Sequence, residues 1–189
     1  MNRGAIMDKI SGNLEAKRGL AERLMLGTTW DFECYDRDGN LKWAERNRPN
    51  KITDEGANAL LNIAFGGATQ IDPWYVAAVE TDTAPAAGMT YATPVFTECE
   101  AYSGGARPAY EPAAASAKSI TSIANKATFT MTGTKTLYGG ALVGGGTDPD
   151  VPGDTEGGGV LFCYSRFDSG KAVENTDIFK ITVTIGLTT

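Results

Sequence analysis

The chain has 189 residues, of which 42% are hydrophobic and 21% charged, a balance that points to one globular domain with an appended segment rather than to disorder. Its net charge of −6 argues against wrapping nucleic acid, because neutralising phosphate needs an excess of Lys and Arg. It contains no histidine, which excludes Ser-His-Asp and Cys-His catalysis and the His-containing zinc sites.

Residues 5–26 are predicted to form an amphipathic helix. Met7, Ile10, Leu14, Ala21 and Leu24 recur at helical spacing on one stripe, with Lys17 where the stripe would continue, and Gly27 as the C-terminal stop. Gly12 and Gly19 each weaken it by up to ~1 kcal/mol relative to alanine, so it needs something to pack against. Residues 1–27 carry five basic and three acidic groups, +2, whereas the remaining 12 basic and 20 acidic residues give −8. That asymmetry suits an arm docking on a neighbour, and it equally suits a solvated helix face. Met7, Ile10, Leu14, Lys17, Arg18 and Leu24 are the candidate partner-binding residues. The start of the chain lacks the apolar run and small-residue cleavage site of a signal peptide, and no stretch approaches the ~20 apolar residues of a membrane helix.

The body is predicted from residue 28 to 189. Trp30, Phe32 and Cys34 alternate with Asp31, Glu33 and Tyr35, which predicts a half-buried strand. Asp38-Gly39-Asn40 is a turn signal, and Leu41 and Trp43 resume the alternation, so the two runs form a hairpin. Thr53 is placed to cap a helix whose first turn carries Asp54 and Glu55 at the positive end of its dipole. Ala57, Leu60, Leu61 and Ala64 are its expected buried face, and Gly66-Gly67 its stop. Trp74–Val79 reads as a strand covered on both faces. Residues 82–120 are rich in Ala, Pro, Thr and Ser, and the two prolines in 107–116 allow at best an edge strand or extended loop.

Further strands are predicted at Ala127–Met131, Leu137–Val143 and Val160–Phe167, with a turn at Asp168-Ser169-Gly170. A last strand carries Phe179, Ile181, Val183, Ile185 and Leu187 on one face, with Lys180, Thr182 and Thr184 on the other. Short strands separated by glycine-rich turns predict a mainly β chain. The expected architecture is an antiparallel β-sandwich, jelly-roll-like, with one short packed helix and an N-terminal helical arm. Trp30, Trp43, Trp74, Tyr75, Phe129, Phe162 and Phe167 sit on strand patterns and are expected in the core.

Candidate chemistry is sparse. Asp148, Asp150, Asp154 and Glu156 offer oxygen ligands suited to calcium, but lack EF-hand spacing and read more simply as a solvated, mobile loop. Glu98, Glu100 and Glu111 lie near Tyr102 and Tyr110, a composition compatible with a glycosidase pair or a sugar groove. The glycine clusters lack the Lys and Ser/Thr of a phosphate loop. Cys34, Cys99 and Cys163 are odd in number and far apart, which favours buried thiols and leaves one disulfide plus a free thiol open. No catalytic residue, metal or cofactor is assigned.

The block NKITDEGANALLNIAFGG followed by WYVAAVETDT resembles a group of small virion structural proteins of tailed bacteriophages. The matching residues are Thr53, Asp54, Glu55, Gly56, Ala57 and Asn58, then Trp74, Tyr75, Val76, Ala77 and Ala78. The likeness continues through residues 97–113, 125–144 and 159–173 and leaves 1–27 outside. The resemblance implies a non-enzymatic virion component, made in the host cytoplasm. In first place stands a capsid decoration or cement protein bound to the major capsid protein lattice as a homo-oligomer, dimer or trimer. A tail or fibre component, binding a host-surface carbohydrate or attaching at the portal or tail vertex, is the alternative. The resemblance brings no catalytic residues, and the acidic charge and the lack of a long apolar stretch lead to the expectation of no nucleic-acid and no membrane partner.

Overall fold

The computed structural model describes residues 25–188. They form a mainly β fold in which all strand pairs are antiparallel. The strands are β1 (Met25–Tyr35), β2 (Leu41–Ile52), β3 (Trp74–Val79), β4 (Ser119–Thr121), β5 (Ala127–Thr130), β6 (Lys135–Gly144), β7 (Val160–Val173) and β8 (Ile178–Thr188), with one helix, α1 (Asp54–Phe65), between β2 and β3. The sheet runs β3-β6-β7-β2-β1-β8-β4, with β5 also on β8, and curls into a sandwich-like half-barrel. The joint between its halves is β2: residues 41–49 pair with β1, whereas Asn50, Lys51 and Ile52 pair with Ser165, Tyr164 and Cys163 of β7.

The expected hairpin is present. The Asp36 carboxylate accepts hydrogen bonds from the amides of Asp38 and Asn40, and Gly39 takes the left-handed conformation the turn requires. Trp30, Phe32 and Cys34 point inward and are fully buried. Phe32 stacks on Phe179 and meets Phe167 edge-on, while Trp43 of β2 packs against both of those rings. This aromatic cluster fills the curl, and edge-to-face pairs of this kind add ~0.5–1.5 kcal/mol each beyond their buried area. Leu41, by contrast, is exposed: it starts β2 directly after the turn, outside the curl.

Three local expectations are corrected. Met25, Leu26 and Gly27 are not the end of a helix but the start of β1, paired with Thr188, Leu187 and Gly186. A continuous ladder along β8 outweighs the last turn of a weak, glycine-containing helix. Second, Asp168-Ser169-Gly170 does not end a strand. Leu137 pairs with Lys171 and Gly139 with Arg166, so Phe167–Gly170 bulge opposite Tyr138 alone and β7 then resumes to Val173. The bidentate grip of Arg48 on Asp168 (2.7 and 2.6 Å) holds the bulge against β2.

The third correction concerns α1. Thr53 does cap it, accepting from the Gly56 amide at 2.9 Å, and Gly66 closes it. The expected apolar face is not buried, however: Leu60, Leu61 and Ala64 are exposed, Ala57 is half-buried, and Gly56 is the helix's one buried residue.

The long segment after β3 is not free. Its amides and carbonyls pair with the open edge of that strand: Cys99 N–H to Ala78 O, Tyr110 N–H to Trp74 O, and Val76 N–H to Pro108 O, at 2.7–2.9 Å. The proline-containing stretch thus covers an edge that would otherwise be exposed. Cys34, Cys99 and Cys163 are buried free thiols, and burial pushes all three above the ordinary thiol range.

Candidate partner-binding groove

The position of α1 is set by its first turn. Thr53 N–H bonds Phe162 O at 3.1 Å, and its hydroxyl donates to Leu161 O. Glu55 accepts from the amides of Tyr91 (2.8 Å) and Leu161 (2.7 Å). Gly56 lies so close to β7 that a Cβ there would run into the Phe162 carbonyl. These contacts are polar or backbone contacts. They tie the N-terminal turn to β7 and leave the apolar side chains of the later turns unused.

Those side chains form two adjoining surfaces. Leu60 and Ile63 face a groove of about 510 Å³ completed by Leu26, Trp74, Phe162, Ile185 and Leu187, with the 110–120 loop along one side. Leu61 and Phe65, four residues apart and therefore on one helical face, point outward, 57% and 87% exposed. An aromatic ring so exposed beside a large apolar groove is a mark of an interaction surface rather than of a finished monomer face.

A second, polar pocket of about 230 Å³ lies where the acidic glycine loop meets the 91–107 segment. Its base is the buried Arg107–Glu98 pair. Arg107 Nε contacts both Glu98 oxygens at 3.0 Å and Nη2 donates to Oε2 at 2.7 Å, while the Gly153 amide also donates to Oε2. The same guanidinium donates to Pro149 O and Asp154 O. Tyr91 O–H donates to Asp154 at 2.7 Å; its phenol is pushed up to about 12, chiefly by burial and then by that bond. Residues 149–154 of the loop are thus hydrogen-bonded to the body through Arg107, Glu98 and Tyr91.

The structure distributes the other candidate residues as follows. Asp154 faces Tyr91, and among the described residues no three His, Cys, Asp or Glu side chains gather as a metal cluster. Glu98 and Glu100 line the same polar pocket, but Glu111 does not. Both oxygens of Glu98 are occupied by Arg107, so the three acids do not form a free carboxylate pair. Tyr102 and Tyr110 are buried. Of the arm residues, Met7, Ile10, Leu14, Lys17, Arg18 and Leu24 all lie outside the described residues. Among the described residues no helix is long and apolar enough to cross a membrane.

Sequence reasoning missed the groove because it assigned Leu60 and Leu61 to the core. One signal was available: Gly56, in the first turn of a capped helix, marks close backbone approach there and not along the leucine face. A comparison with protein-family models gives no match for the chain, and a comparison with curated proteins gives none either.

Proposed function

We propose that the chain is a non-enzymatic structural protein of a tailed-phage virion, and within that class a decoration or cement protein that binds the major capsid protein lattice as a dimer or trimer. The observation that carries this reading is the outward apolar face of α1, Leu61 and Phe65, which the fold leaves uncovered. The face lies within the block whose sequence resembles the virion proteins. The other resembling blocks supply β5, β6, β7 and the segment along β3, the frame that positions the helix. A cement role is served by this combination: a hydrogen-bonded β body and a preformed apolar anchor, which lowers the ordering cost of binding. The N-terminal arm adds contact area on a neighbouring subunit in the same reading.

The experiment is co-sedimentation of the purified chain with virions that lack it. Saturable binding at one chain per fixed number of coat subunits supports a cement protein, and no binding refutes it.

A second reading, a tail or fibre component that binds host-surface carbohydrate, is favoured by the polar pocket, where Tyr91 and Phe96 stand beside Glu98, Glu100 and Arg107. A glycan array separates the two, because the cement reading predicts no hits.

A further inference from the structure

The polar pocket beside the 148–156 loop has spent its guanidinium donors and kept acceptors open. Arg107 Nε is taken by Glu98, Nη1 by Tyr91 Oη and Pro149 O, and Nη2 by Glu98 Oε2 and Asp154 O, which accounts for the donors a guanidinium carries. We propose that this pocket binds a protonated alkylamine, the chemistry of a partner's lysine side chain, with Glu100 as its counter-ion. The inference goes beyond the virion reading, because it names a ligand chemistry that the free protein recognises.

Three observations carry it. The first is charge. The pocket is lined by the carboxylates of Glu98, Glu100 and Asp154 against the single guanidinium of Arg107, and a cleft with that excess concentrates cations. The second is the state of Glu100. Glu98 is fully engaged, whereas among the described residues none forms a hydrogen bond or ion pair with the Glu100 carboxylate. Lys135, whose charge Glu100 influences, is held by Glu80 at 2.9 Å. Gly153, at φ +74°, lets the loop pass directly over this carboxylate: a Cβ there would come within 2.5 Å of Glu100 Oε1. The third is the floor. Ala77, Val143 and Leu161 are buried apolar residues at the bottom of the same pocket, and the half-buried Phe96 ring stands beside them. A lysine-like ligand matches this division, with its methylenes on the apolar floor and its ammonium at the carboxylate. The five heavy atoms of a butylammonium group, at ~30 Å³ each, need about 150 Å³, and the pocket holds about 230 Å³.

Other ligand chemistries are served less well. An anion meets the excess of carboxylates with no guanidinium donor left to receive it, and the hydroxyls of a neutral sugar need donors as well as acceptors. The pocket shares no lining residue with the groove beside α1, so an amine bound here leaves Leu61 and Phe65 uncovered.

The test is a titration of the full-length, nitrogen-15-labelled chain with n-butylammonium chloride, followed by amide NMR, with n-butanol, sodium butyrate and glucosamine hydrochloride in parallel at equal ionic strength. The proposal expects saturable shifts at the amides of Glu100, Gly153, Asp154 and Leu161 with butylammonium, binding of butanol at least threefold weaker, and no saturable shift with butyrate. Glu100→Gln, at an exposed position, is expected to weaken butylammonium binding at least threefold while the rest of the spectrum is kept, the scale of an ion pair at a pocket mouth. The absence of a saturable shift at these amides overturns the proposal, as do butanol binding within threefold, a saturable response to butyrate, or a smaller loss in Glu100→Gln. Glucosamine binding more tightly than butylammonium overturns it in favour of an amino sugar. A chain that binds butylammonium but is absent from virions refutes the functional reading alone. A chain found on virions that fails the titration refutes this inference alone.

Discussion

Replacing Phe65 with alanine separates a docking face from a folding face. The side chain is 87% exposed, so its removal takes almost nothing from the isolated protein, and the expected change in stability lies within about 0.5 kcal/mol. On a partner the same ring has nearly its whole area to bury. About 150 Å² at about 25 cal/mol/Å² gives an upper value of about 4 kcal/mol. Ordering the ring and the partner's side chains reduces this to about 2 kcal/mol, or about 30-fold in Kd. The assay is co-sedimentation with virions lacking the chain over a concentration series, paired with thermal unfolding of the free protein. Leu61→Ala, on the same helical face, is expected to weaken binding in the same direction and by a smaller factor, since more of its area is already covered. A Phe65→Ala protein that binds within twofold of wild type refutes the reasoning. So does one whose melting temperature falls by several degrees, because the ring would then be part of the core.

Three other predictions concern the frame that holds this face. Gly56→Ala drives a Cβ into the Phe162 backbone, which Thr53 pins in place; after allowing for the helix preference of alanine, the cost is about 2 kcal/mol, a fall of about 4–8 °C in Tm by calorimetry. Burial alone would raise the Glu33 carboxyl, but hydrogen bonds from Lys126 and Arg46 outweigh it and bring the group from 4.5 down to about 2. A depressed carboxylate stabilises the fold above its unfolded value near 4.5, and that contribution is lost as pH falls toward 2. Glu33→Gln should therefore cost about 2 kcal/mol at pH 7, discounted for the partly exposed Arg46, with the deficit shrinking to nothing near pH 2 in denaturant titrations. Arg107→Met takes away the ion-pair partner of the buried Glu98 and frees the 148–156 loop; about 3 kcal/mol of stability is lost, and limited proteolysis newly cuts within that loop. Unchanged loop cleavage would show that the guanidinium does not restrain it.

Period-two alternation made the sheet legible. Trp30, Phe32 and Cys34 in β1 and Phe179, Ile181 and Val183 in β8 face inward as expected, because burial on one face of a strand leaves a pattern a single segment can display. The Thr53 cap was legible for the same reason: it is a local hydrogen bond between residues three apart. What was not legible depends on long-range contacts. The outward turn of Leu61 and Phe65 follows from Gly56 meeting Phe162, more than a hundred residues away, and no local periodicity encodes which side of a helix meets the sheet. The Arg107–Glu98 pair joins residues nine apart to a loop some 45 residues further on, and composition alone made that loop look mobile. Gly170 looked like part of a turn because a bulge and a turn share the same residue preferences; only the β6 register distinguishes them. The candidate site was half legible: the helix was found, and the face it offers was turned the wrong way.

The central claim is that the chain is a virion protein present in many copies on a capsid lattice. Quantitative mass spectrometry of purified virions of a phage that encodes it, with the chain measured against the major capsid protein, tests this most directly. A fixed integer or simple fractional ratio, amounting to hundreds of chains per particle, is the result the account predicts. About a dozen copies would instead assign it to the tail or portal vertex, and its absence from purified virions would contradict the account altogether.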